Sequence, residues 1–230
     1  LPSMLPCADE GQDAGAILPD WVMRPAPENV SAARLVAPSA LLPRDVPVLA
    51  PFGEARAARL KRGRMIHSLL QYLPEMPPEA RRAAGEEFLS RDVALDEAAR
   101  ADMLSAAMGV LESDELAGLF APGGRAGAAV IGAAPELPDG TIINGRVDRL
   151  VVTDTHVLIV DFKTDQPGPA TIDDIADSYK AQMAAYWAVL KQAYTGKTVQ
   201  AALCWTDGPQ LMVLPDAQLL EVLNRVKSAV

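Results

Sequence analysis

Two aspartates and a lysine stand where an ordinary core hairpin would carry aliphatic residues. The stretch Thr141–Asp165 reads TIINGRVDRLVVTDTHVLIVDFKTD, two β-branched apolar runs around the polar break Thr153-Asp154-Thr155-His156. That pattern predicts a β-hairpin. A turn centred on Asp154 and Thr155 pairs Thr153 with His156, Val152 with Val157 and Asp148 with Asp161. A two-residue or a four-residue loop about the same centre gives the same register. The two carboxylates then share a face, with Cβ atoms about 4.5–5.5 Å apart. Like charges so placed repel unless something neutralises them. Lys163 falls on the same side as Asp161 because side chains on a strand alternate. Two acids and a lysine converging on the polar end of an apolar hairpin suit a divalent cation. The competing reading is structural: a strand-end salt bridge between Asp161 and Lys163, with Asp148 a solvated edge residue. Asp148 weighs against it, since it adds charge that such a pair does not need. If the acids repel one another, Asp161→Ala is expected to leave folding intact or slightly improved.

Other elements must hold this hairpin in place. EARAARLKRGRMIHSLLQYLP sets Ile66, Leu69, Leu70 and Leu73 at helical spacing, and Pro74 ends the helix. Five cations crowd nine residues there: Arg56, Arg59, Lys61, Arg62 and Arg64. They form either a solvated face or a phosphate-contacting one. His67 lies beside the apolar stripe, on a face shared with Gly63, whose missing side chain permits close backbone approach. On its own it reads more readily as a packing residue than as a ligand. Helices near 78–91 and 96–113 read as scaffold. A Gly/Pro-rich loop over 121–140 encloses a short strand near 128–133, and its glycines lack the G-x-G-x-x-G spacing of a dinucleotide site. Beyond the hairpin, a helix over 172–194 places Tyr179, Gln182 and Tyr186 on one face, and a buried glutamine there needs a partner. Gly196-Lys197-Thr198 lacks the first glycine of a phosphate-binding loop and follows a helix into a strand, the reverse of the required order. Strands over 198–206 and 210–214 and a last helix from Asp216, with Leu219, Leu220, Leu223 and Val226 as its apolar stripe, complete the chain.

Bulk composition narrows the function. The 230 residues carry a net charge of −9, which argues against a free-standing, non-specific nucleic-acid binder. A domain handed its substrate by a larger partner is not excluded. Two cysteines, Cys7 and Cys204, are too few for a disulfide framework, a four-cysteine zinc site or an iron–sulfur cluster within this chain. No apolar run approaches the roughly 20 residues of a membrane span and no signal peptide is evident, so a cytoplasmic setting is expected. Nine of the nineteen prolines fall in residues 1–54, which read as an arm or linker. Within it Trp21, Val22 and Met23 could dock, and Pro38-Ser39 could start a short helix. A chain opening on Leu1 is expected to be part of a longer polypeptide.

In order, KRGRMIHSLLQYLP, GRVDRLVV, VDFKTD and YKAQMAAY resemble the RecB-family nuclease module of the PD-(D/E)xK superfamily, over about residues 55–215. The nearer likeness is to the C-terminal nuclease domain of AddA-type bacterial helicase–nucleases, which CWTDGPQLMVLP also fits. The resemblance implies an α/β, restriction-endonuclease-like core, a mixed central sheet flanked by helices, with extra N-terminal helices. Residues 1–54 would then be an arm from a preceding helicase region, and 55–230 the nuclease domain. It implies that His67, Asp148, Asp161 and the Phe162 carbonyl bind metal. Lys163 would be catalytic, with Asp148 and Asp161, and Gln182 and Tyr186 would support the site. Arg59, Arg62, Arg64 and Tyr179 would then contact DNA. Hard oxygen donors with one imidazole suit Mg²⁺ or Mn²⁺ more than zinc. The partners implied are DNA, the helicase portion of the same polypeptide and an AddB-like subunit. Many relatives carry a glutamate on the short strand before the hairpin, where this chain has Gly127. The reading of another class is a catalytically silent, nuclease-like module that binds DNA or docks a partner.

Overall fold

The computed structural model describes residues 33–42 and 54–228. The expected docking of Trp21, Val22 and Met23 falls outside them. A six-stranded mixed sheet runs β1 (Arg34–Val36), β3 (Thr141–Val152), β4 (His156–Lys163), β5 (Thr198–Trp205) and β6 (Gln210–Leu214), and β2 (Gly124–Gly132) pairs with β3 as well. The 121–140 loop thus holds a longer strand than its apolar residues suggested, because Gly124 and Arg125 already pair with β3. β3 and β4 form the expected hairpin, pairing Val152 with Val157 and Arg149 with Val160. β4 and β5 are parallel, joined through helix α4 (Asp177–Ala193), as a crossover requires. That helix begins five residues later than its sequence pattern suggested, and turns occupy 172–176.

Each face of the sheet carries its own apolar core. Val157, Ile159, Ala201, Leu203 and Trp205 pack with α4 residues such as Met183 and Trp187. The alternate residues Val160, Phe162, Ala202 and Cys204 pack with helices α1 (Glu54–Tyr72), α2 (Pro78–Ser90) and α3 (Glu97–Leu111). This period-two division of β4 and β5 reflects burial on both faces, as expected where helices cover a sheet. Helix α5 (Asp216–Ser228) packs on α4 through Val222 and Val226 against Ala181. The Asp96 carboxylate caps α3 by accepting from the Ala99 amide at 2.7 Å. No helix among the described residues is long and apolar enough to cross a membrane.

The Pro-rich arm is not uniformly a linker. Arg34–Val36 pairs in parallel with Thr141–Ile143, and Pro38–Ala40 forms a short 3₁₀ helix where Pro38-Ser39 suggested one. Three residues are too few for a strand period to show in the sequence. Because β2 occupies the other edge of β3, β1 lies on the same edge as β4. Between Ile143, the last partner of β1, and Arg149, the first partner of β4, that edge of β3 has no strand beside it.

Candidate active site

The opening along β3 is where the chemistry-bearing residues collect. The ladder to β4 stops one pair short of Asp148 and Asp161. Asp148 itself takes over there: its Oδ2 accepts from the Phe162 amide at 2.8 Å. A side chain thus satisfies a backbone donor that would otherwise seek a ladder partner. The register is the expected one, but the strands part at the acids. The pleat slips at the same point. Ile143 and Val147 face the α4 core, and so do Leu150 and Val152, so the alternation shifts by one residue near Asp148. In β2, Gly127 breaks the pairing between Ala126–Arg149 and Ala128–Val147, with φ at +59°. Only glycine takes that conformation without strain.

From the α4 side, Lys163 Nζ lies 2.7 Å from Asp161 Oδ2 and donates to Gln182 Oε1 at 3.0 Å. Gln182 Nε2 donates to Asp161 Oδ1 at 2.9 Å, so the glutamine has its required partners on both groups. The Tyr179 ring lies under Lys163 Nζ at 3.8 Å, and its hydroxyl donates to Asp165 Oδ2 at 2.7 Å. Tyr186 touches neither acid in this arrangement. Its hydroxyl donates to the Arg146 carbonyl at 2.9 Å, bracing the open edge of β3. Burial, then the nearby Asp161 charge, pushes the Tyr186 phenol up to about 12, so it stays a donor. Burial also pushes the Cys204 thiol up to about 12, which leaves it inert.

From the opposite layer α1 delivers His67. Its Nδ1 stands 3.2 Å from Asp148 Oδ1, and its ring meets Phe162 edge-on with centroids 6.4 Å apart. Burial disfavours a charged ring, but the hydrogen bond and charge of Asp148, with Asp161 adding, outweigh it. The His67 pKa therefore rises above its ordinary value. Asp161 is also raised: burial dominates and Asp148 adds to it, against the opposing pull of Lys163 and His67. Two devices bring α1 this close. Arg62 pairs with Asp102 of α3 at 2.7 Å and donates to the Thr164 carbonyl at 3.1 Å. Gly63 faces Thr164, whose Oγ1 would lie 3.0 Å from any added Cβ. Gly63→Leu should therefore push α1 off the end of β4 at a cost of about 1–3 kcal/mol. Thermal unfolding would show it; an unchanged Tm would mean that the approach is not tight.

The cations of α1 do not act as one face. Lys61 pairs with Asp92 at 2.7 Å and Arg62 is held as above, whereas Arg59 and Arg64 are exposed. Arg62, expected on DNA, has a structural partner on each side. Sequence spacing could not reveal this, because Asp92 and Asp102 lie 30–40 residues downstream.

His67, Asp148, Asp161 and Phe162 thus meet in one opening, yet no three His, Cys, Asp or Glu among the described residues stand grouped to hold an ion. Each acid is instead satisfied by a neighbour, Asp161 by Lys163 and Gln182, Asp148 by His67 and the Phe162 amide. The donor set itself, two buried or half-buried carboxylates and an imidazole, has the chemistry for a divalent cation.

The sequence pattern of the PD-(D/E)XK nuclease superfamily matches residues 43–224. The chain belongs to that superfamily. PD-(D/E)XK nucleases generally use divalent metals, and the mixed sheet flanked by helices is their fold. Among solved structures, the chain is similar to a "putative exonuclease" from Eubacterium rectale, with a TM-score of 0.51 and 16% identity. That match covers 77% of this chain and 66% of the other, so the PD-(D/E)XK chain spans just under two thirds of its neighbour's length. A second structure, SSO0001, matches at 13% identity over 76% of this chain and 86% of that one, with a TM-score of only 0.31. No curated protein matches in sequence.

Proposed function

We propose that this domain is a divalent-metal-dependent deoxyribonuclease. It hydrolyses phosphodiester bonds of single strands delivered by a helicase motor during double-strand break repair. One observation carries the reading: Asp161, Lys163 and Gln182 form a closed hydrogen-bonded set facing Asp148 and His67 across parted strands. A structural ion pair would not call for a second acid and a histidine beside it. His67, Asp148, Asp161 and the Phe162 carbonyl would hold Mg²⁺ or Mn²⁺. When bound, the ion would polarise the scissile phosphate and acidify a water. Lys163 has an ammonium whose position is fixed by Asp161, Gln182 and the Tyr179 ring. It can donate to the charge that builds on the phosphate as the transition state forms. Gln182 keeps the Asp161 carboxylate turned toward the opening, and Tyr186 fixes the strand beside it. Exposed Arg59 and Arg64 would meet the DNA backbone, with Tyr179 at the mouth. The resemblance to AddA-type enzymes supports a helicase portion in the same polypeptide, an AddB-like partner and a cytoplasmic setting.

The test is degradation of single-stranded DNA by the protein with Mg²⁺ or Mn²⁺, and its loss in EDTA. Absence of cleavage with either ion would favour the second reading, a silent DNA-binding or docking module, in which the partners that Asp148 and Asp161 already hold would be their permanent ones. His67→Ala should weaken Mn²⁺ binding at least about tenfold by calorimetry. Since Asp148 raises the His67 pKa above its ordinary value despite burial, an ion must compete with a proton for the ring, and its binding should weaken as pH falls. Unchanged affinity in the variant would remove His67 from the ligand set.

A further inference from the structure

Beside the acids lies a small space bordered by nitrogen donors. A Cβ built on Gly127 would stand 3.4 Å from Arg146 Nη1 and 3.4 Å from Gln71 Nε2. Both groups therefore border the volume that a side chain at residue 127 would fill. Among the described residues, neither Arg146 nor Gln71 has a side-chain hydrogen-bond or ion-pair partner. Gln71 follows His67 by one helical turn on the same face of α1, about 6 Å along its axis. Arg146 precedes Asp148 by two residues on β3, and its carbonyl is held by Tyr186 at 2.9 Å. The backbone that carries the guanidinium is thus fixed relative to the acids. Gly127 keeps the space open, because its φ of +59° disfavours any side chain.

A guanidinium and an amide N–H₂ with no carboxylate between them suit an anion and repel a cation. An exposed arginine alone would be unremarkable. A second donor converging on the same space, one turn from His67, is what distinguishes this one. We propose that Arg146 and Gln71 seat a phosphate of the DNA strand other than the scissile one, displaced along α1 from the Asp148–Asp161 opening. Gly127 is the residue that leaves room for it. This deepens the nuclease reading and rests on it. The seat sets where along the strand the cut falls, since it fixes one phosphate while another is presented to Lys163. Arg64, exposed on α1 on the other side of His67 from Gln71, extends the same track.

The experiment uses a fluorescein-labelled single-stranded oligonucleotide, with binding read by anisotropy in EDTA and cleavage read with Mn²⁺. Arg146→Ala should raise Kd about tenfold, the worth of one charge-assisted contact. It should also flatten the slope of log K against log salt by about 0.7, one phosphate contact on a single strand. Gln71→Ala should raise Kd less and leave the slope unchanged. In cleavage, Arg146→Ala should raise KM about tenfold and change kcat less than about threefold, and Arg146→Lys should recover part of the loss. Wild-type Kd and salt slope in Arg146→Ala would overturn the proposal, as would a fall in kcat at constant KM. A wild-type protein that binds but does not cut would defeat the nuclease reading instead, and the binding measurements would then decide the phosphate seat alone.

Discussion

Asp161→Asn is expected to lose cleavage by at least about a thousandfold while keeping its fold, and Asp161→Ala to lose both activity and stability. The structure reverses the expectation that removing this acid relieves strain. Asp161 is buried, with a side chain only 7% exposed, and so is its partner Lys163 at 11%. Deleting the carboxylate leaves an ammonium in the interior with Gln182 as its remaining hydrogen-bond acceptor. Breaking a buried pair from one side costs about 3–5 kcal/mol, more than the repulsion from Asp148 that it relieves. In a chain of this size that lowers Tm by roughly 6–20 °C. The asparagine keeps an oxygen for Lys163 and so spares most of the loss, but it cannot supply the negative charge an ion needs. Differential scanning calorimetry alongside a Mn²⁺-dependent cleavage assay separates the two effects. An alanine variant as stable as the parent would mean that the Asp161–Lys163 pair does not help to hold the fold. An asparagine variant that cuts at the parental rate would remove Asp161 from the site.

The hairpin was legible because local rules decide it. A short turn at Asp154-Thr155 and β-branched flanks fix the register, and the register places both acids at one end. The alternation rule was silent at one point. It assumes a regular pleat, whereas a glycine at positive φ in β2 and the Asp148 carboxylate on the Phe162 amide part the strands where the acids sit. Neither event has a signature in residue type, since most glycines in strands keep ordinary angles. Glycine in place of the glutamate many relatives carry read only as a departure from a pattern; in the structure it opens a space beside the site. Gln182 was legible as a residue in need of partners, because a buried amide must be satisfied. Its partners, Asp161 and Lys163, lie on a strand about twenty residues away. Arg62 shows the opposite case. A run of positive charge suggested a phosphate-contacting face, but the acid that neutralises Arg62 comes from a helix 40 residues on. Pairing across that distance depends on how α1 and α3 pack, and helical periodicity is silent on packing partners.

Lys163→Met should lower the cleavage rate by about a hundredfold or more without weakening metal binding at alkaline pH. The methionine can occupy the same apolar path beside Tyr179, so the fold should tolerate it. The lysine stands 2.7 Å from Asp161 Oδ2, where its positive charge opposes any incoming cation. Removing it takes away that repulsion, and affinity for Mn²⁺ at pH 8.5 should hold or rise. Lys163 has a second influence with the opposite sign. Burial holds the Asp161 carboxyl above its ordinary range, and among the groups that pull it back down Lys163 contributes most. Without the lysine the acid keeps its proton to higher pH, so an ion must displace that proton over a wider range. The variant should therefore bind metal as well as the parent at pH 8.5 but lose affinity more steeply on acidification. Calorimetric titrations at two pH values, paired with single-turnover cleavage, read all three quantities. If metal binding collapses together with rate at alkaline pH, Lys163 organises the ligands rather than stabilising the reacting phosphate. If rate and binding both survive, the lysine is the strand-end salt-bridge partner of the structural reading.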